Sequence, residues 1–158
     1  MAIYMNYQGI DGPVTTAGHE KWIELSSFHF GVGRAIGTAQ RGQTSREHSE
    51  PNLSEITVTK LADTSTLKLW HESVAGTMDK TVKIDFTTTT QNKTVTFLTY
   101  ELSNVGLSGY SAHSTGDMPQ ESLSLNFTKI QISFTGMDPS ISGNKQSDGY
   151  DLTQMSTI

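Results

Sequence analysis

The sequence predicts an all-β domain with one short helix, in which two sheets form a β-barrel that carries an extended loop. Three observations predict this class. Apolar and polar residues alternate in several short segments, and turn residues separate these segments. Charged residues make up 17% of the 158 residues, below the roughly 25% typical of soluble domains, and Ser, Thr and Gly take their place. A single segment has the periodicity of an amphipathic helix.

The strongest alternation lies between residues 116 and 136. Its apolar positions are Leu123, Leu125 and Phe127, followed after a change of parity by Ile130, Ile132 and Phe134. Successive side chains of a strand point to opposite faces, so one extra residue moves the whole apolar set to the other face. We therefore predict a long strand with a β-bulge near Thr128 and Lys129, which bends between the two sheets. Two short strands joined by a kink are the alternative.

A strand within residues 22–33 carries large aromatic residues on one face. Phe28 and Phe30 share this face and indicate the interior of the barrel. Ser27 and His29 share the opposite face, so we expect both side chains to point away from the interior.

Residues 34–50 have no hydrophobic period and contain three arginines and two glycines. A loop of this length inside a compact domain is usually either functional or disordered. We expect a functional loop, with disorder that has no role as the alternative.

The helix and its flanking cap residues are predicted within residues 63–76. Residues 63–65 offer N-cap oxygens, and Gly76 suits the position just after the helix. Its apolar residues fall at i, i+3 and i+7, at Leu67, Trp70 and Val74. Such a stripe predicts docking of this face on a sheet.

The remaining strands follow from the same alternation of apolar and polar residues. They are predicted at residues 3–7, 56–58, 82–86, 94–102 and 105–114, with an edge strand near Tyr150. A change of parity at Phe97 and Leu98 predicts either a bulge or a strand that is covered on both faces.

No motif predicts catalysis or a metal site. His19-Glu20 and His71-Glu72 each lack the second histidine of the helical zinc motif, which needs two imidazoles one turn apart. The glycines of residues 31–37 depart from the dinucleotide-binding spacing, and a polar loop follows them. The net charge of -5 argues against nucleic acid as the main partner. We therefore expect neither an enzyme nor a cofactor-binding protein.

The chain has no cysteine, and residues 1–12 lack a basic leader followed by an apolar core. No stretch approaches the roughly 18 apolar residues of a transmembrane helix. We expect a protein that folds in the cytoplasm, has no signal peptide and does not insert into a membrane.

GHEKWIELSSFHFG at residues 18–31 and PQESLSLNFTKIQISFT at residues 119–135, read together, resemble the haemolysin-coregulated protein (Hcp) family. This family forms the tube of bacterial type VI secretion systems. The likeness covers nearly the whole chain. Its motif residues here are Gly18, His19, Glu20, Glu121, Asn126 and Lys129.

The resemblance implies that residues 1–158 form one domain, similar to a phage tail-tube protein, and that a homo-hexameric ring stacks head-to-tail into a hollow tube. It implies effectors that are held and stabilised in the lumen, sheath and spike proteins as partners, and secretion through the machine itself. The family's stacking loop falls on Gly42, Gln43, Thr44, Ser45, Arg46, Glu47, His48 and Ser49. Ser27 and His29 become candidates for the lumen. A monomeric β-barrel carrier of a small ligand and a phage-type tail-tube protein are the alternatives.

Overall fold

The computed structural model describes residues 1–34, 51–136 and 145–158. Its elements in chain order are β1 (Ala2–Tyr7), β2 (Ile23–Leu25), β3 (Ser27–His29), β4 (Val32–Gly33), β5 (Asn52–Leu53), β6 (Ile56–Leu61), α1 (Thr66–Ala75), β7 (Lys80–Thr90), β8 (Lys93–His113), β9 (Gln120–Asn126), β10 (Lys129–Phe134), β11 (Gln146–Asp151) and β12 (Ser156–Thr157). The predicted stacking loop, Gly42 to Ser49, lies outside the described residues.

The strands form two antiparallel sheets that share β8. The large sheet has the order β12-β11-β10-β8-β7-β1-β2, and the small sheet has the order β3-β6-β9-β8. β4 and β5 form a separate pair. The chain passes from β2 to β3 at Ser26, whose N–H donates to the Thr59 carbonyl at 2.7 Å. The predicted all-β class with one helix is therefore confirmed. Within the described residues no ladder joins β2 to β6, so the two sheets do not close into a continuous barrel.

β8 is one strand where the sequence predicts two, and it bends from one sheet into the other. Its register against β7 shifts between the pairs at Lys80 and Val82, and Asn104 has a φ of 53°. The shift means that β8 has one more residue than β7 at this point. Such an extra residue bends a strand and increases its twist. The bend in β8 is the corner of the fold.

The chain changes sheets a second time at the same corner, between β9 and β10. Thr128 lies in this gap, and its N–H donates to the Ser103 carbonyl at 3.1 Å. The Asn104 side-chain amide donates to Thr128 Oγ1 at 3.0 Å. The change of sheets is therefore where the parity predicts it. The chain changes sheets through two short strands joined by a kink, as the alternative predicts. The prediction of one long strand with a bulge is wrong.

The change of parity at Phe97 and Leu98 marks a β-bulge, which is one of the two interpretations that the sequence allowed. Phe86 pairs with Leu98 and Thr87 pairs with Thr96, so Phe97 has no partner on β7. Phe97 is buried. The extra residue interrupts the ladder locally and increases the twist of the strand.

The core lies between the two sheets. Its buried members include Met5, Tyr7, Ile23, Ile56, Val58, Leu69, Val82, Ile84, Leu102, Leu123 and Leu125. Phe28 and Phe30 extend this core, as predicted, and the Phe28 ring lies 4.8 Å from the Tyr100 ring and 5.1 Å from the Phe86 ring. Such aromatic contacts add to the stabilisation that burial alone supplies.

The prediction that the apolar stripe of the helix docks on a sheet is wrong. Leu67, Trp70 and Val74 are 78%, 51% and 66% exposed, and Leu69 is the buried residue of α1. Periodicity identifies a stripe but not the surface that covers it, and here one leucine outside the stripe anchors the helix.

The N-cap residue is Ser65, and its side chain makes no capping hydrogen bond. Asp63 accepts from the Ser65 backbone N–H instead, at 2.7 Å.

Candidate functional surfaces

Small hydroxyl side chains occupy most positions of two rows on the outer face of the small sheet. Two rows cross its four strands in register: Ser27, Thr59, Ser122 and Ser111 in one row, and His29, Thr57, Ser124 and Gly109 in the other. The hydroxyl oxygens of Ser27 and Thr59 are 2.5 Å apart. Neither row contains Lys, Arg, Asp or Glu. We call this surface the hydroxyl face.

Ser27 and His29 are both exposed on the hydroxyl face, while Phe28 between them packs on the core. They therefore point away from the interior, as the alternation predicts. Their neighbours on β6, β8 and β9 come from distant parts of the sequence. The continuous hydroxyl face could not be predicted without knowing which strands pair.

The small sheet has two open edges among the described strands. β3 pairs with β6 alone. The part of β8 from Gly106 to His113 pairs with β9 alone, because the ladder with β7 ends at Val105. Unpaired backbone N–H and C=O groups along such edges can accept another strand.

A buried ion pair lies beneath the first turn of α1. Lys60 and Glu121 are 0% and 1% exposed, and Lys60 Nζ lies 2.6 Å from Glu121 Oε1. Thr66 Oγ1 donates to the same oxygen at 2.9 Å, and the Tyr110 hydroxyl donates to Oε2. Lys60 Nζ also contacts Asp63 Oδ1 at 3.1 Å. This network joins β6, β8 and β9 to the start of the helix.

The network changes the pKa of Glu121 and that of Tyr110. Burial raises the pKa of the Glu121 carboxyl, but hydrogen bonds from Lys60, Tyr110 and Thr66 outweigh this effect and hold it below its ordinary value. Burial, together with the hydrogen bond to the Glu121 carboxylate, raises the pKa of Tyr110 to about 12. The carboxylate and the protonated phenol are therefore the stable forms at neutral pH.

The sequence contains a signal for the ion pair of Lys60 and Glu121, which an analysis of apolar residues alone overlooks. Lys60 continues the inward positions of Ile56 and Val58, and Glu121 precedes the inward positions of Leu123 and Leu125. A charge at an inward position is costly unless it is paired. One positive and one negative charge at inward positions of two strands therefore indicate an ion pair.

His19 forms a second buried contact, on the outer face of the large sheet. Its Nε2 lies 2.8 Å from Asp85 Oδ2, and Thr99 Oγ1 donates to Asp85 Oδ1 at 2.8 Å. The rings of Tyr4 and Trp22 pack against the imidazole. This contact holds the segment between β1 and β2 against the sheet, which explains why Asp85 is buried at an outward position of β7.

This arrangement differs from a nucleophilic triad. Thr96 Oγ1 is 3.4 Å from the same Nε2 that faces Asp85, and Nδ1 is buried without a partner. In a triad the acid and the nucleophile contact different ring nitrogens. His19 has the geometry of a structural contact.

The other motif residues occupy turns and strand ends. Gly18 has a φ of 85°, which favours glycine, and Glu20 is exposed beside it. Asn126 ends β9, and its Oδ1 accepts from the Phe127 N–H at 2.9 Å. Lys129 begins β10, opposite Ser103 and Asp151. The structure therefore does not bring the six motif residues together into one site.

The described residues contain no group of three or more His, Asp or Glu side chains placed to hold a metal ion. Among these residues, no helix combines the length and the apolar character that crossing a bilayer requires.

A family model described as type VI secretion system effector, Hcp, matches residues 4–134, most of the chain. The chain belongs to the Hcp family. This family consists of structural secretion proteins and is not a family of enzymes. No curated protein matches the chain.

Solved structures of an Hcp protein and of other type VI secretion system proteins have the same fold. A structure described as a type six secretion system protein matches with a TM-score of 0.88 at 24% identity, over 99% of both chains. Hcp1 from Salmonella typhimurium matches with a TM-score of 0.77 at 15% identity, over 99% of this chain and 98% of that one. A type VI secretion system effector from Yersinia pestis matches with a TM-score of 0.71 at 19% identity, over 94% and 98%. At these identities the likeness establishes the Hcp fold and leaves residue roles to be argued from this chain.

Proposed function

We propose that the chain is the subunit of a type VI secretion tube. Residues 1–158 act as one domain, copies close into hexameric rings, and the rings stack head-to-tail around a hollow that holds effectors. The observation that carries the proposal is the small sheet, which combines an uncharged hydroxyl face with two open edges.

The two open edges suit a closed ring. β3 lies at one end of the small sheet and Gly106–His113 of β8 at the other. A contact between two different edges is heterologous, and repeating it with a constant rotation generates a ring. Each ring contact satisfies backbone groups that the isolated chain exposes to water. In such a ring the small sheets of successive copies continue one another.

The hydroxyl face suits a lumen that conveys different proteins. Hydroxyl groups keep the surface of the lumen hydrated. Each hydroxyl can either donate or accept a hydrogen bond, so the surface can bond to polar groups of either kind. A wall without Lys, Arg, Asp or Glu neither attracts nor repels cargo of one charge. This supports Ser27 and His29 as luminal residues.

The proposed partners and route follow from membership of the Hcp family. The outside of the tube meets sheath proteins, one end meets the spike, and the lumen holds effectors. The protein folds in the bacterial cytoplasm and leaves the cell through the machine. We propose no role for nucleic acid, a cofactor or membrane insertion.

Native mass spectrometry and negative-stain microscopy test the proposal. We expect the purified chain to have the mass of a hexamer of 17.3 kDa subunits and to form annular particles with an open centre. A chain that stays monomeric at high concentration, without rings, would contradict the proposal and favour the carrier. Tubes with bound phage-type tail components would favour the tail-tube alternative.

His29→Glu tests the luminal face. We expect rings to persist, while retention of an effector falls by about tenfold or more, because cargo must then desolvate a ring of carboxylates. The measurement is co-purification of effector with rings of known mass. Gln154→Glu adds the same charge at an exposed turn outside the small sheet and should leave retention unchanged. Unchanged retention with His29→Glu would remove the luminal role.

A further inference from the structure

α1 presents an apolar stripe that the described residues leave uncovered. Leu67, Trp70 and Val74 are all at least half exposed, and they lie on one side of a ten-residue helix. Contiguous exposed apolar residues on a soluble protein mark contact sites. The network of Lys60 and Glu121 holds the start of the helix, so the stripe is presented in a defined orientation.

A second apolar feature lies elsewhere on the surface. It is a groove of about 230 Å³, whose walls include Phe30, Val32, Leu53, Ile130, Ile132 and Tyr150. Val32 is 58% exposed. The volume is below the roughly 300–1,000 Å³ of small-molecule sites, so the groove suits protruding side chains better than a free ligand.

The stripe and the groove lie next to opposite edges of the small sheet. α1 packs against β8, and Met78, just beyond the helix, lies against Gly106 at the start of the open part of β8. Phe30 and Val32 follow directly after β3, the other open edge. When the β8 edge of one copy meets the β3 edge of the next, the stripe of the first therefore comes to the same junction as the groove of the second.

The charges beside the two features are complementary. Lys68 lies on α1 next to the stripe and is exposed. Asp148 lies at the rim of the groove and is exposed as well. Opposite charges around an apolar contact favour the correct partner and its register.

We propose that Leu67, Trp70 and Val74 of one copy dock into the groove of the neighbouring copy in the ring. This contact rests on the proposed ring and specifies a second part of its interface, outside the joined sheet edges. A large exposed aromatic residue seated in an apolar groove is the usual centre of binding energy in an interface. Trp70 is that residue here.

Disulfide cross-linking between two variants tests the contact, because the chain has no native cysteine. Trp70→Cys and Val32→Cys are purified separately as full chains, mixed under conditions that allow subunit exchange, and oxidised. We expect a cross-linked dimer in the mixture and none in either variant alone. Met118→Cys mixed with Val32→Cys is the matched control, since Met118 is apolar and 62% exposed but lies outside the stripe.

The outcomes separate the contact from the ring. Rings of hexameric mass without the cross-link would overturn the docking of α1 and leave the proposed function standing. A cross-link in Met118→Cys as well would also overturn it, because the contact would then be unspecific. Absence of any oligomer from the unmodified chain would overturn the proposed function first, and the docking with it.

Trp70→Ala gives an independent measure that does not depend on cysteine geometry. We expect the concentration at which rings dissociate to rise by about tenfold or more, with the fold unchanged by circular dichroism. Met118→Ala should leave this concentration unchanged. Equal ring stability in the two variants would overturn the proposal.

Discussion

Glu121→Ala is expected to lower the free energy of unfolding by about 3–5 kcal/mol, the usual effect of removing one partner of a buried ion pair. Lys60 is 0% exposed, so the variant leaves an ammonium group in the core with the partly exposed Asp63 carboxylate as its remaining acidic contact. Thr66 and Tyr110 also lose their acceptor. The measurement is chemical denaturation of the purified chain at neutral pH.

Removing both charges is the matched control. Replacement of Lys60 by Met together with Glu121 by Leu should recover most of the loss, because an apolar pair of similar volume often substitutes for a buried ion pair at little cost. A loss below about 1 kcal/mol in Glu121→Ala would contradict the role of the network. A double variant as unstable as the single one would show that Glu121 acts through Thr66 and Tyr110.

The pH dependence identifies the charge as the cause. The pKa of Glu121 in the folded chain is below its ordinary value of 4.5, so its contribution to stability is fully present above that value. The contribution is lost as the pH falls from about 4.5 through the lower pKa of the folded chain. The difference in stability between the native chain and Glu121→Ala should therefore narrow in that range and stay constant between pH 6 and 8.

Deletion of Gly42–Ser49 is expected to leave rings intact and to impair their stacking into tubes. The resemblance to the Hcp family implies that this loop reaches toward the neighbouring ring. Every subunit of the proposed ring would repeat the contact, so deletion removes all copies of it at once. We expect the fraction of protein in tubes, counted by electron microscopy, to fall by about tenfold or more. Secretion of the protein should fall with it.

A variant with eight Gly and Ser residues in place of Gly42–Ser49 separates loop length from loop chemistry. If the side chains make the contact, this variant should behave like the deletion. If length alone matters, it should form tubes. A deletion variant that still forms long tubes and is still secreted would contradict the stacking role.

Local alternation predicted the faces of the strands well. Phe28 and Phe30 pack inward and Ser27 and His29 outward, because adjacent side chains of a strand must lie on opposite faces. The parity changes at Phe97 and near Thr128 also marked real irregularities. Whether an irregularity is a bulge or a break depends on pairing with distant strands, and a single segment contains no information about that pairing.

The helix shows the limit of periodicity. Its stripe was predicted to dock on a sheet, yet Leu69 anchors α1 and the stripe remains exposed. The start of α1 is also held by the ion pair of Lys60 and Glu121, whose members are 61 residues apart. A helical pattern shows which side of the helix is apolar. Which side packs against the protein depends on the rest of the fold.

The sequence by itself determined the all-β class, the inward side of the strands with clear alternation, and the family. It could do so because backbone geometry makes alternation a local property and because the two motif segments are contiguous. The tertiary structure alone decided the corner at Asn104, the buried contact of His19 with Asp85, and the hydroxyl face with its open edges. Each of these depends on which strands pair and in what register, and register is decided by burial of the whole core rather than by any one segment.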